Sequence, residues 1–518
     1  MLGAASTLPF LAYIKASFLS LRYTHSSSSS SNTDTLSLSL SLSLSLHIHT
    51  RARLSAFSSL FLTLFLNKAV GEESMQRTSS AYNRRNDISS NLLAPLQLGR
   101  AHLSHRVVLA PVTRCRALNY VPQQAHVEFY SERATHGGLL ITEAVSVAQA
   151  GIGFPHSPGL WSEEQVEAWR KVVNAVHNKG GIIFCQLWHV GRASHTYYQP
   201  EGCIPISSTG CRLPKECSIR LPEGEMAEYS QPRALATEEI PLIIEQFRQA
   251  ARNARCAGFD GVEIHGGHGY LVDQFFKNGI NDRKDRYGGS IENRCRFGLE
   301  VIDAVASEMG AERTAIRISP VIDHLGATDT DPYTLFLHLI SELNKKDLAY
   351  LHMTEPRFNN KGANGLMDTS ENCLLFSEAY EGIMMLSGGF TRESGMQAIR
   401  SGAADLVSYG RLFISNPDLP LRFAIEAKLN AYDRSTFYTH DQYVGYLDYA
   451  KLSSKEVSEG WSDKRAAFAA RSGRKLQIQP SSPTCRRMLA SPIAHFASPH
   501  TLLSSPHNPV VAGSPSQY

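Results

Sequence analysis

Between about residues 90 and 450 short apolar runs alternate with longer stretches in which apolar residues recur every three or four positions. The short runs read as strands at 106–113, 138–145, 181–190, 261–266, 315–320, 348–355, 382–390 and 405–411. The longer stretches read as helices at 162–179, 237–258, 291–309, 332–345, 373–380, 392–402 and 417–429. In the first, Val166, Trp169, Val172, Val173 and Val176 share one face. The second has a capping-box-like start at Thr237, acidic residues in its first turn, and ends at a glycine. Strands alternating with helices over about 350 residues predict a single (β/α)8 barrel of the α/β class. A doubly wound sheet would carry a Gly-rich first turn, and none is present.

Barrels work at the C-terminal ends of their strands. Two groups of residues stand there. Gly388, Gly389, Gly410 and Arg411 follow strands seven and eight, the usual phosphate-binding place, where glycine allows close approach and arginine a bidentate grip. Thr113, Gln186, His265, His268, Tyr270 and Arg317 form a polar ring rich in donors and poor in carboxylates. The scarcity excludes several chemistries. Only Glu143 and Glu355 stand at strand ends, in no paired motif for glycoside hydrolysis. His265 and His268 lack the helical spacing and partner carboxylate of a metal hydrolase. No lysine is placed for a Schiff base. Donors for a developing oxyanion, a phenolic acid and a phosphate site point to redox work with a phosphorylated cofactor.

Composition adds boundaries. The 518 residues are 42% hydrophobic and carry a net charge of +3, too little for a nucleic-acid surface. No run reaches the length of a membrane span. Nine scattered cysteines without a Cys-x-x-Cys pair indicate neither a disulfide framework nor structural zinc. Residues 1–90 read as a structureless or targeting extension. They include Ser26 to Ser31 and a strict Leu-Ser alternation over 36–46. Two readings stand: a Ser-rich, acid-poor transit peptide, or a translated repeat ahead of a true start at Met75. Residues 451–518 read as a disordered Ser/Pro-rich tail, and no peroxisomal Ser-Lys-Leu address closes the chain. The expected compartment is the cytoplasm, or the plastid if the extension is a transit peptide.

The motifs Ala110-Pro-Val-Thr-Arg, Gln186-Leu-Trp-His-Val-Gly-Arg, His265-Gly-Gly-His-Gly-Tyr-Leu, Asn281-Asp-Arg and Tyr287-Gly-Gly-Ser-Ile resemble those of the old yellow enzyme family, in its plant 12-oxophytodienoate reductase branch. Ser387-Gly-Gly-Phe, Tyr409-Gly-Arg-Leu-Phe and Asn416-Pro-Asp-Leu-Pro continue the match, which spans 93–449. The resemblance implies an FMN barrel that uses NADPH to reduce the olefin of small α,β-unsaturated carbonyls, 12-oxophytodienoate of jasmonate synthesis among them. A monomer or weak homodimer is expected. A general detoxifying alkene reductase and a flavin protein without turnover are the alternatives. By resemblance, Pro111, Val112, Thr113, Ala144, Gln186 and Arg317 contact the flavin ring, and Gly389, Gly410 and Arg411 hold its phosphate. His265 and His268 bind the substrate carbonyl, Tyr270 delivers a proton to the α-carbon, and Arg357 lies on the substrate side. Phe154 and His324 resemble branch members that reduce the jasmonate precursor. Gln442 and Ala450 replace prolines, which is expected to loosen the C-terminal segment.

Overall fold

The computed structural model describes residues 91–356 and 374–472. Eight parallel strands close into a barrel: β1 Val107–Leu109, β2 Leu139–Ser146, β3 Ile182–Trp188, β4 Gly261–His265, β5 Thr314–Ile318, β6 Leu351–Thr354, β7 Met384–Ser387 and β8 Leu406–Tyr409. Their burial on both faces explains why each reads as a continuous apolar run rather than an alternation. Helices follow the strands in turn: α1 Gln124–Arg133, α2 Glu163–His177, α3 Ile240–Ala257, α4 Ile291–Met309, α5 Pro332–Leu343, α6 Leu374–Ala379, α7 Arg392–Arg400 and α8 Leu419–Ile425. The expected (β/α)8 architecture is what forms.

Several strands end sooner than the apolar runs do. β1 stops before Pro111, which has no N–H for the ladder. β7 stops before Gly388 and Gly389, whose φ angles of +132° and +91° leave extended geometry. The residues beyond these ends become rim loops. Between Ile141 and Ala144 the β2–β3 register shifts, a bulge-like irregularity next to the site.

A hairpin and helix α1 are among the elements the sequence reading does not contain. The hairpin, Leu96–Leu98 with Ala101–Leu103, puts Leu96, Leu98 and Leu103 into the N-terminal mouth of the barrel against Val108, Leu139, Ile141, Phe184 and Leu406. Helix α1 was missed because its buried face mixes His126 and Arg133 with Phe129 and Tyr130, which blurs the apolar period. The start of α3 also differs. It begins at Ile240, because Thr237 bonds Asp285 and the Glu239 carboxylate is held by Arg233 and the Ala236 N–H.

The expected loosening near Gln442 and Ala450 is not found. Gln442 donates to the carbonyls of Arg116 and His440 at 3.0 and 3.1 Å. The Ala450 carbonyl accepts from Arg422 and Asn430. Three buried arginines grip the same segment. Arg114 donates to Phe437 O and Gly445 O, Arg116 to Thr436 O, Asp441 O and Val444 O, and Arg133 to Tyr446 O. A strap from about 432 to 449 is thereby fixed through its main chain.

Contacts divide the chain into two units. The first carries the barrel and continues through 428–451; the second comprises 425–427 and the residues from 452. In the second, Ser454–Ser472 is a helix within the segment read from sequence as a disordered tail. Its lysines, glutamates and alanines are strong helix formers, and Lys464 pairs with Glu426 at 2.6 Å. The extension 1–90 and residues 473–518 lie outside the described residues. Among the described residues no helix is long and apolar enough to cross a membrane.

Candidate active site

At the C-terminal end of the barrel two adjoining cavities share Pro111, Thr113, Tyr270, Thr354 and Gly388. The larger, about 820 Å3, runs past Val112, Arg317, Ser387 and Ser408 to Gly389, Gly410 and Arg411, with Phe154 and Tyr438 on its wall. The smaller, about 330 Å3, is lined by Ala144, Gln186, Trp188, His265, His268 and His324. Every site residue expected from sequence lies here except Arg357, which falls outside the described residues. Trp188, Thr354, Ser387 and Tyr438 were not expected. Trp188 stands inside the quoted Gln-Leu-Trp motif, whereas Tyr438 on the irregular strap gave no signal.

His265 closes β4, and the chain then turns sharply through Gly266 to Tyr270. The turn carries strain where it meets the cavity. His268 has φ +56°, a left-handed conformation held by its N–H bond to Ser319 Oγ at 2.7 Å. Gly269 follows at φ +75°, and a Cβ there would lie 2.5 Å from His324 O. Gln274 braces the turn from below, donating to Val190 O and Gly269 O while accepting from Arg192 N–H and Ser207. Rings converge above it. His265 stands 5.3 Å from His268 and 5.0 Å from Tyr270, centroid to centroid, and Tyr270 meets Trp188 edge-on at 5.0 Å.

Electrostatics define the protonation states. Burial, then the charge of Arg317, pushes both His265 and His268 well below the ordinary imidazole value, so both are neutral at pH 7. The Gly267 N–H points at His265 Nδ1 at 3.4 Å. Burial raises the Tyr270 phenol, so it stays protonated. Arg317 donates to Thr354 Oγ1 and Ser387 Oγ at 3.2 and 3.3 Å. Gly388 is required at the far end, since a Cβ there would lie 2.8 Å from Glu355 O at φ +132°.

A family model described as NADH:flavin oxidoreductase / NADH oxidase matches residues 91–430. The chain belongs to this family. FMN is the cofactor of these oxidoreductases and a reduced nicotinamide their reductant. Within it the chain stands in the old yellow enzyme group, on the plant 12-oxophytodienoate reductase branch. It is 56% identical over 372 residues to 12-oxophytodienoate reductase 7 of Oryza sativa subsp. japonica, covering 70% of this chain and 94% of that one. With 12-oxophytodienoate reductase 2 of Arabidopsis thaliana it shares 51% over 363 residues, 70% and 96% of the two chains. Among solved structures, morphinone reductase superposes with a TM-score of 0.66 at 41% identity, covering 70% and 97%. The old yellow enzyme homologue from Zymomonas mobilis gives 0.66 at 37%, covering 70% and 100%.

The cavities of this old yellow enzyme fit FMN by their donor sets. The larger cavity joins a polar region at Thr113 and Arg317 to a glycine-lined end at Gly389, Gly410 and Arg411. Among the described residues no group of three His, Cys, Asp or Glu side chains is placed to hold a metal ion.

Proposed function

We propose that this FMN-dependent oxidoreductase uses NADPH to reduce the carbon–carbon double bond of α,β-unsaturated carbonyls, cyclopentenones of the 12-oxophytodienoate type in particular. When bound, FMN supplies the hydride that reaches the substrate β-carbon. The chain's residues do the rest. Thr113, Gln186 and Arg317 orient the flavin ring, with Pro111, Val112 and Ala144 packing beside it. Gly389, Gly410 and Arg411 take the phosphate.

His265 and His268 donate to the substrate carbonyl oxygen. Neutral imidazoles suit this role, because they can stabilise the growing negative charge without surrendering a full proton to it. Tyr270 gives its phenolic proton to the α-carbon. Phe154 and His324 sit at the cavity wall, where they shape the choice of enone. The observation that carries the reading is the convergence of His265, His268 and Tyr270 at the junction of the two cavities.

The test is to assay the purified yellow protein with NADPH against both enantiomers of 12-oxophytodienoate and against simple cyclic enones. NADPH-dependent loss of the cyclopentenone, faster than that of simple enones, is expected. Equal rates on all of them would assign a general alkene reductase. Flavin absorbance without turnover of any enone would assign a flavin carrier.

A further inference from the structure

Beneath the cavity the barrel interior holds polar side chains that the reaction does not use. Glu263 of β4 and His352 of β6 are fully buried, and Glu263 Oε2 lies 2.9 Å from His352 Nδ1. The other carboxylate oxygen accepts from Gln186 Nε2 at 2.7 Å. On the far side His352 Nε2 lies 2.9 Å from Ser408 Oγ. Both ends of this chain, Gln186 and Ser408, line the cavities.

The donor inventory gives the chain one direction. A carboxylate only accepts, so Gln186 must turn its NH2 toward Glu263, which leaves its carbonyl oxygen for the cavity. His352 donates from Nδ1, so its Nε2 accepts the Ser408 hydroxyl. Three further groups face the pair. Arg317 of β5 attracts the carboxylate, Tyr350 feels its charge, and His265 would be repelled only by a protonated His352. Burial disfavours the ionised Glu263, yet His352 and Arg317 outweigh it and hold its carboxyl below the usual range. Burial lowers His352, which is neutral at pH 7, so the set retains the carboxylate charge opposite Arg317. Buried ionic groups of this kind are often no more stable than apolar side chains of similar size, so folding alone does not explain them.

We propose that Glu263 is a positioning residue for the flavin: from below the cavity it fixes the amide of Gln186 and offsets the charge of Arg317, and so sets the reduction potential of bound FMN. The inference rests on the assignment of Gln186 and Arg317 to the flavin made above.

The experiment measures the midpoint potential and FMN affinity of the holoprotein and its variants. Glu263→Gln leaves Arg317 uncompensated and should favour the reduced flavin about tenfold at a fixed poise, which is about 30 mV for a two-electron couple. Glu263→Asp keeps the charge and should restore the wild-type potential while weakening FMN retention. If Glu263→Gln does not fold, His352→Leu serves instead. Without its donor Glu263 takes up a proton at higher pH, and the plot of potential against pH should gain a break that wild type lacks. Arg317→Lys and Gln186→Ala are the controls. A potential unmoved by Glu263→Gln, or no break in His352→Leu, while the controls shift, overturns the inference. No shift in the controls overturns the flavin assignment itself.

Discussion

In the lower layer of the barrel Phe184, Ala315, Met385 and Leu406 pack against the hairpin leucines 96, 98 and 103. Two positions further along the same strands stand Gln186, Arg317, Ser387 and Ser408. Alternate residues of a strand share a face, so both sets point inward, roughly 6.6 Å apart. One step along each strand therefore takes the interior from an apolar plug to a hydrogen-bonded floor. The lower layer carries stability through area removed from water and close packing. The upper layer is buried as well, but by polar side chains that must find hydrogen-bond partners, and the rim just beyond it adds a left-handed histidine. On these four strands stability and chemistry use different residues.

The largest effect that would break this division is expected at the rim. Tyr270→Phe should slow the enone-driven half-reaction roughly 10²–10⁴-fold, the scale of general acid catalysis. NADPH-driven bleaching of the flavin should stay near wild type, as should the melting temperature. Stopped-flow traces of the two halves decide the matter, and equal slowing of both would point to a disturbed flavin site.

The complementary change lies in the plug. Phe184, nearly fully buried and 5.6 Å from the Tyr350 ring, leaves a cavity when truncated. Phe184→Ala should cost about 3–5 kcal/mol of unfolding free energy in a denaturant titration. The ratio of turnover on two different enones should not change. A shift in that ratio would mean the two layers are coupled.

A smaller effect at the rim is expected for His268→Ala, about 10²–10³ in enone turnover by comparison with other oxyanion donors. Full turnover in this variant would mean that the substrate oxygen points elsewhere.

Acid provides the smallest and most even-handed probe. His105, at the lower end, is held down to about 4 and His189, near the rim, to about 3, both by burial. Each is neutral when folded and takes a proton near 6.5 when unfolded, so below 6.5 the unfolded state binds more protons and stability falls with pH. The loss should reach about 2 kcal/mol per histidine by pH 5. Melting curves of His105→Asn and His189→Asn should show shallower pH slopes than wild type, by similar amounts. A wild-type protein equally stable at pH 7 and pH 5 would contradict both shifts.

The eight strands were legible because each is buried on both faces and so reads as an apolar run between breakers. Their ends were less so, since Pro111 and the Gly388–Gly389 pair look apolar or neutral yet end the ladder. The rim residues were legible because polar side chains at strand ends are conspicuous. Glu263 and His352 were printed in the same strands but passed unnoticed, because pairing across a barrel depends on register that one sequence does not contain. The strap was invisible for another reason. Its course is set by Arg114, Arg116 and Arg133 reaching main-chain oxygens, and a carbonyl has no letter in the sequence.

That last arrangement has an evolutionary consequence. The wall is gripped at Thr436, Phe437, Asp441, Val444 and Gly445 through backbone oxygens, with Phe437, Thr439 and Tyr446 adding side-chain contacts to the same arginines, and Tyr438 takes no part in that grip. Tyr438 can be exchanged for a smaller or larger residue while the grip stays intact. Such a strap lets a lineage retune which molecules it accepts by single substitutions, each tried on a wall that does not have to be rebuilt.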